Sequence, residues 1–180
     1  MMIRRKLVAV GDLSGKTCVL LTYLKDEFPE PQLTFLSWDI TDVEVEGQVV
    51  EVHVWDTCSK ERFKDARISC YKGADVFVIF FSIYSRTSFE NVAKLWIPEI
   101  KKYGSRDTAV LLVGTHCEMI QDGSNVTNDE GRAMAKEINA VDYIECKADT
   151  KFNVDEVFVT AIKATLTDKT KKIAINKRGK

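Results

Sequence analysis

The chain has 180 residues, of which 45% are hydrophobic and 29% charged, with a formal net charge of −1. That is enough apolar content for one domain with a full core, and the balanced charge excludes a general basic footprint for nucleic acid. No apolar run approaches the roughly 20 residues of a membrane span, and the five cysteines (Cys18, Cys58, Cys70, Cys117, Cys146) contain no Cys-x-x-Cys pair, so they read as reduced, mostly buried thiols of a cytoplasmic chain.

The charged start, Met1 to Lys6, runs straight into Leu7-Val8-Ala9-Val10, an apolar run that reads as a buried strand rather than a secretory leader. Gly11-Asp12-Leu13-Ser14-Gly15-Lys16-Thr17 follows, and Cys18 to Leu24 then reads as a helix. Strand, Gly-rich turn, Gly-Lys-Thr and helix is the context of a phosphate-binding loop. In such a loop backbone N–H groups cradle phosphates, the Lys neutralises their charge and the Thr hydroxyl holds Mg²⁺. The usual spacing places four residues between the two glycines. Here only Asp12, Leu13 and Ser14 lie between Gly11 and Gly15, so the loop is one residue short.

Trp38 to Val45 and Val49 to Trp55 flank Glu46-Gly47-Gln48 and predict a hairpin, with Val50, Val52 and Val54 on its buried face. Trp38 is expected to pack on that hairpin. The continuous runs Val76 to Phe81 and Val110 to Val113 suit parallel strands covered on both faces. Helices are expected over Ser88–Tyr103, Asn128–Asn139 and Val154–Leu166. Thr87 with Glu90 and Thr127 with Glu130 are candidate capping boxes, and Asn153 with Glu156 a looser one. Tyr143 to Cys146 reads as a short last strand. From Lys169 to Lys180 there are six Lys or Arg and no acid, which reads as a basic tail able to touch an anionic membrane weakly. No C-terminal Cys-a-a-X box is present, so no prenyl anchor is expected from this sequence. A chain cut short would read the same way. The predicted fold class is α/β, six mostly parallel strands with one antiparallel edge strand and helices on both faces, as one domain over 1–168 followed by the tail, 169–180. Ligands in such folds bind at the carboxyl ends of the strands.

With these pieces in place the chain resembles the Rho/Rac family of small GTPases, part of the Ras superfamily. The resemblance rests on Arg4-Arg5-Lys6-Leu7-Val8, Phe28-Pro29-Glu30, Trp55-Asp56-Thr57, Trp96-Ile97-Pro98-Glu99-Ile100, Asp129 to Ala135 and Ile144-Glu145-Cys146. It implies the P-loop small-GTPase fold and GTP or GDP with Mg²⁺ as ligand, although Met119 to Thr127 is too short for the extra helix of Rho proteins. It assigns the nucleotide site to Gly11, Asp12, Leu13, Ser14, Gly15, Lys16, Thr17 and Cys18. Phe28 would stand against the base or ribose, and Ala148 would offer a backbone N–H to the base. Thr17 and Thr34 would ligand Mg²⁺, and Asp56 would act on it from outside the direct ligands. Each threonine also has a plain reading as a cap or loop residue.

Four motifs depart from the resemblance together. Beside the short phosphate loop, the family's Asp-Thr-Ala-Gly-Gln-Glu is Asp56-Thr57-Cys58-Ser59-Lys60-Glu61. Ser59 stands for the glycine at the γ-phosphate, and Lys60 for the glutamine that orients water, a task for which an ammonium has no acceptor. The base-reading Asn-Lys-x-Asp is Thr115-His116-Cys117-Glu118, and the second base loop is Lys147-Ala148-Asp149. Thr115 is expected to be too short for the asparagine's cross-links, His116 to be able to stack on a base, and Glu118 to need a backbone shift. The loop between Glu30 and Thr34 is about one residue short, and Phe35 to Asp39 differ from the usual effector-facing residues. The expected function is a Rho-like scaffold that signals through protein contacts at the switch surface, 28–40 and 57–70, with nucleotide binding and hydrolysis weak or lost. Phe35 and Trp38 are aromatic candidates for a contact patch there. The alternatives are a divergent working GTP switch with slow hydrolysis, and a nucleotide binder of altered base preference.

Overall fold

The computed structural model describes residues 2–12, 14–29, 36–117 and 123–177, with side chains to residue 167. Strand β1 (Ile3–Gly11) lies at the centre of a sheet ordered β2-β3-β1-β4-β5-β6. The others are β2 (Leu36–Val45), β3 (Gln48–Thr57), β4 (Val76–Ser82), β5 (Ala109–Thr115) and β6 (Tyr143–Cys146). Only β2 and β3 pair antiparallel; every other pair is parallel. All seven residues of β4 are buried, as a strand covered on both faces requires. The hairpin turn is the two residues Glu46 and Gly47, at φ 52° and 78°. Positive φ at both positions matches the right-handed twist of the flanking strands, and Gln48 opens β3 instead of belonging to the turn.

Two cores sandwich the sheet. One face packs α1 (Lys16–Lys25) and α6 (Val154–Lys177) through Val19, Leu20, Val157, Phe158 and Ile162. The other packs α3 (Arg86–Asn91), α4 (Ile97–Tyr103) and α5 (Asn128–Glu137) through Phe89, Trp96, Ile97, Ile100 and Met134. Between β3 and β4 the chain forms a 3₁₀ turn, Glu61–Phe63, and the short α2 (Lys64–Ser69).

Several local expectations are corrected. The helix predicted over Ser88–Tyr103 starts at Arg86 and carries a π-helical turn, Val92–Trp96, between α3 and α4. Pro98 has no N–H to give, so the regular ladder breaks here, and Ile97 N–H donates five residues back, to Val92 O. Its cap is Ser85, whose side chain accepts from Ser88 N–H, rather than Thr87. The capping box at Thr127 and Glu130 forms as expected. Asn153 does not cap: it sits at φ 55° and its amide donates to Glu145 O at 2.9 Å, tying the start of α6 to β6. Helix α5 stops at Glu137, and α6 runs on to Lys177, into the segment expected to be a tail. Trp38 is not packed away; it is 60% exposed, opposite Trp55 with ring centroids 6.2 Å apart. Leu36, Trp38 and Ile40 share one face of β2, opposite to the face that buries Val43 and Val45.

Candidate nucleotide site at the strand ends

The carboxyl ends of β1, β3, β4, β5 and β6 converge on the short loop between β1 and α1. Two glycines in that loop are dictated by packing. A Cβ on Gly11 would stand 2.2 Å from Phe80 O, because β1 and β4 pair Gly11 with Phe80. Gly15 caps α1 in the left-handed region at φ 74°, and a Cβ there would meet Cys117.

On the phosphate side Lys16 and Asp12 find their partners within the chain. Lys16, in the first turn of α1, is 7% exposed; its ammonium donates to Asp56 Oδ1 and, at 2.6 Å, to Thr57 O. Thr17 Oγ1 donates to Asp56 Oδ2 at 2.6 Å. Thr57 Oγ1 in turn donates to Ala9 O at 2.7 Å, so the end of β3 is bonded to β1. Asp12 accepts from Asn91 Nδ2 at 2.6 Å and Trp96 Nε1 at 3.2 Å. Burial raises the Asp12 carboxyl above its ordinary value, outweighing these two donors. Ser14 is buried, and its Oγ has no hydrogen-bond partner among the described residues. Leu13 and Thr34 lie outside the described residues, as do Glu30 and Phe35.

The loop after β3 is held from beneath. Arg67, 1% exposed, makes a bidentate pair with Glu99, with Nε and Nη2 each 2.8 Å from a carboxylate oxygen. Its Nη1 donates to Cys58 O at 2.7 Å, and its guanidinium lies over the Trp96 ring at 5.0 Å. Tyr71 OH donates to Glu99 at 2.6 Å. Burial opposes the Glu99 charge, but the Arg67 and Tyr71 bonds prevail and hold its carboxyl below the ordinary value. Trp96 thus touches both Asp12 of the phosphate loop and Arg67 under the 57–60 loop. Ser59 is half-buried and Lys60 exposed. None of Asn91, Arg67, Tyr71 or Glu99 was singled out for the site from sequence. A buried Arg and Glu 32 residues apart leave no local pattern to find them by.

On the base side a cavity of about 170 Å³ is open. Its lining includes Gly15, Cys18, Phe28, His116, Cys117 and Ala148. Phe28 is 53% exposed at its edge. Thr115 overturns its expectation. Its hydroxyl donates to Ser14 O, with Phe81 O also near at 3.3 Å, so it does cross-link the phosphate loop to the strands. His116 turns toward Glu145, Nε2 to Oε2 3.2 Å, with its ring edge-on to Tyr84. Lys147 and Asp149 pair with each other at 3.6 Å. Lys151 donates to Asp26 O at 2.7 Å, joining the 147–151 turn to the end of α1. Burial pushes the Cys18 thiol up, and the nearness of Cys117 and of the Asp56 carboxylate adds to this. Glu118 lies outside the described residues, as does Met119 to Asp122 of the shortened segment.

The site therefore offers a hydroxyl and a carboxylate, Thr17 and Asp56, side by side. Hard oxygen donors of this kind fit Mg²⁺. It also offers an ammonium at the start of a helix, which fits phosphate, and a cavity beside them that fits a base. No group of three His, Cys, Asp or Glu side chains fit to hold a metal occurs among the described residues, and no helix among them is long and apolar enough to cross a membrane.

Known proteins agree with this architecture. The model of the Ras family matches residues 6–167. The chain is similar to the Rho-related GTP-binding protein RhoB of Homo sapiens, with 40% identity over 177 residues, covering 91% of this chain and 90% of RhoB. The RhoB proteins of Mus musculus and Rattus norvegicus match to the same extent. By sheet order, by the phosphate-loop context and by these matches, the chain belongs to the Ras family and is of the Rho type.

Proposed function

We propose that this chain is a Rho-type signalling protein that works through protein contacts at its switch surface and holds guanine nucleotide weakly, with hydrolysis slow or lost. The observation that carries the reading is the buried Lys16–Asp56 pair with Thr57 O as third partner. A phosphate arriving at Lys16 has to displace a carboxylate and a carbonyl from an almost dry site, and desolvated charges give up such partners at a cost. The shortened loop also has one N–H fewer to offer in return.

When GTP or GDP is bound with Mg²⁺, the cation supplies charge neutralisation at the phosphates. Thr17 and Asp56 are the residues of this chain suited to hold it, with Thr34 assigned by resemblance. Lys16 binds phosphate, Cys18, Phe28 and Ala148 line the base cavity, and Ser59 and Lys60 take the positions near the γ-phosphate. Lys60 supplies positive charge but no acceptor to orient an attacking water. Regulators and effectors of Rho-type proteins are the partner class that 28–40 and 57–70 would meet. The exposed Trp38 and Ile40 supply apolar contact area there. Residence is cytoplasmic, with peripheral membrane contact through the basic C-terminal segment.

The adjacency of Thr17 and Asp56 at 2.6 Å favours a second reading, a working GTP switch with slow turnover. Calorimetry with GDP and GTP in the presence of Mg²⁺ separates the two. Micromolar or weaker binding, with no phosphate released in a single-turnover assay, is the expected result. Nanomolar affinity with turnover at an ordinary Rho rate would establish the second reading instead.

A further inference from the structure

The π-helical turn Val92–Trp96 lies between two donors that share one acceptor. Asn91 Nδ2 donates to one oxygen of the Asp12 carboxylate at 2.6 Å, and Trp96 Nε1 donates to the other at 3.2 Å. The two donors are five residues apart in sequence. In a regular α-helix that spacing turns through about 500°, which leaves the side chains about 140° out of line. A π-helix closes its bonds from residue i to residue i+5, as Ile97 N–H does here to Val92 O. Residues five apart then return to one side. The wider turn is therefore what brings Asn91 and Trp96 to bear on a single carboxylate.

Asp12 sits where the chain crosses over the end of the sheet. It directly follows Gly11, the last residue of β1, and the chain leads on to Gly15 and α1. Helix α1 packs on one face of the sheet through Val19 and Leu20. Trp96 is fully buried in the core on the other face. The Asp12 carboxylate is thus drawn to the α3–α4 face, whereas Lys16 and the first turn of α1, which suit a phosphate, belong to the helix of the opposite face. Trp96 is itself braced, since the Arg67 guanidinium lies over its ring at 5.0 Å. Glu99, three residues further along the helix, holds Arg67 in turn.

We propose that Asn91 and Trp96 are positioning residues of the phosphate site: aligned by the π-helical turn, they hold the Asp12 carboxylate on the α3–α4 face, off the path of an incoming phosphate. The part that concerns phosphate rests on the nucleotide reading above; the clamp on Asp12 does not. Without its two donors, an ionised Asp12 is free to turn back over the loop. It then sets a second negative charge near Lys16, whose ammonium already has Asp56 as partner. Like charges in near contact at a protein surface repel by enough to cost an order of magnitude in affinity.

The test is calorimetry with GDP and Mg²⁺ at neutral pH on the full chain, as parent, Asn91→Ala, Asp12→Asn and the double variant. Asn91→Ala should weaken binding roughly tenfold in the parent background. It should change nothing in the Asp12→Asn background, because an amide brings no charge toward the phosphate. Trp96→Phe keeps a ring beneath Arg67 but loses the Nε1–H, and it should show the same dependence on residue 12. An unchanged affinity in the parent background, or an equal loss in both, would overturn the positioning role, since a merely structural defect does not depend on that charge. The clamp is read without nucleotide, from the indole N–H signals in the proton NMR spectrum. The Trp96 signal, assigned by its loss in Trp96→Phe, should move in Asp12→Asn while those of Trp38 and Trp55 stay. A Trp96 signal blind to that change would overturn the clamp itself. If the parent binds no GDP, the nucleotide reading fails and the positioning role with it, while the clamp stands or falls on the indole signal.

Discussion

The two halves of the site solve different problems. On the phosphate side three charges have a partner inside the chain: Lys16 has Asp56, Asp12 has Asn91 and Trp96, and Arg67 has Glu99. On the base side a cavity stays open, and the pairs His116–Glu145 and Lys147–Asp149 stay partly exposed. The phosphate loop, one residue shorter than the usual spacing, forms a joint in which Lys16 and Asp56 neutralise each other. The open cavity on the other side is framed by Thr115, Gly15 and Phe28. Shape at this site is set by the backbone and by small residues, while charge is set by long side chains that find partners wherever the loops leave them.

The sharpest way to break the phosphate-side joint is Arg67→Ala. It leaves Glu99 as an uncompensated buried charge and frees Cys58 O. Loss of one partner of a buried pair costs about 3–5 kcal/mol. Urea unfolding should show a loss of that size, and amide exchange should rise through 57–61 before it rises elsewhere. A loss under about 1 kcal/mol would mean that the pair is not a brace.

Asp56→Asn probes the same joint from the other end, with a smaller effect because Thr57 O still accepts from Lys16. Loss of a charged hydrogen bond costs about 1.5–3 kcal/mol. The freed ammonium should then hold inorganic phosphate better than the parent does, measured by calorimetry without Mg²⁺. If phosphate binding does not improve, the carboxylate is not what keeps anions out.

These residues also mark how far the sequence could be read. The strand runs from Val76 and Val110 predicted the sheet because a strand buried on both faces has to be apolar throughout. Thr127 and Glu130 predicted a helix start because a capping box is a local, four-residue event. Thr87 failed by the same local rule, because the buried Ser82, Ser85 and Ser88 compete for that helix start through bonds between α3 and β4. The π-helical turn went unread although Pro98 was in view, since a proline shows that the ladder breaks but not how. Lys16 and Thr17 were legible from the phosphate-loop motif and Asp56 through the family resemblance, yet their mutual pairing was not. That pairing depends on β3 and α1 meeting across sequence separations of 39 and 40. The pairing of Arg67 with Glu99 had no signal, since the two lie 32 residues apart on separate short helices. Trp38 is exposed despite its apolar size, because strand register decides which face of β2 is buried.

Ligand addition tests whether the open base side compensates for the closed phosphate side. At ligand equal to the dissociation constant, stabilisation is RT ln 2, about 0.4 kcal/mol. For a chain of this size that moves the melting midpoint by about 1–2 °C. With micromolar or weaker affinity, GDP and Mg²⁺ at micromolar concentration should therefore shift a cooperative apo transition only slightly. A rise of many degrees would show that the base side alone carries tight binding.

The smallest effect lies at the rim of the base side, where Arg86 joins α3 to α5. Arg86 Nη1 and Nη2 donate to Glu130 at 2.6 and 3.3 Å, and Nη2 also donates to Asn125 O at 3.0 Å. Glu130 caps α5 by accepting from Thr127 N–H at 2.8 Å. The Arg86 bonds, with the Thr127 backbone N–H next, lower the Glu130 carboxyl from its ordinary 4.5 to about 2. A carboxyl whose folded value lies below its unfolded one binds its proton more readily in the unfolded chain. Its contribution is therefore complete above about pH 4.5 and disappears as the pH falls from there to about 2. The group is solvent-accessible, so water and salt screen the pair and the change should be modest. Stability measured between pH 5 and 2.5 should fall more steeply in the parent than in Glu130→Gln, and added salt should narrow the gap. Equal slopes would place the acid sensitivity elsewhere, first of all at buried Glu99, whose carboxyl is lowered as well, and would return it to the phosphate side of the molecule.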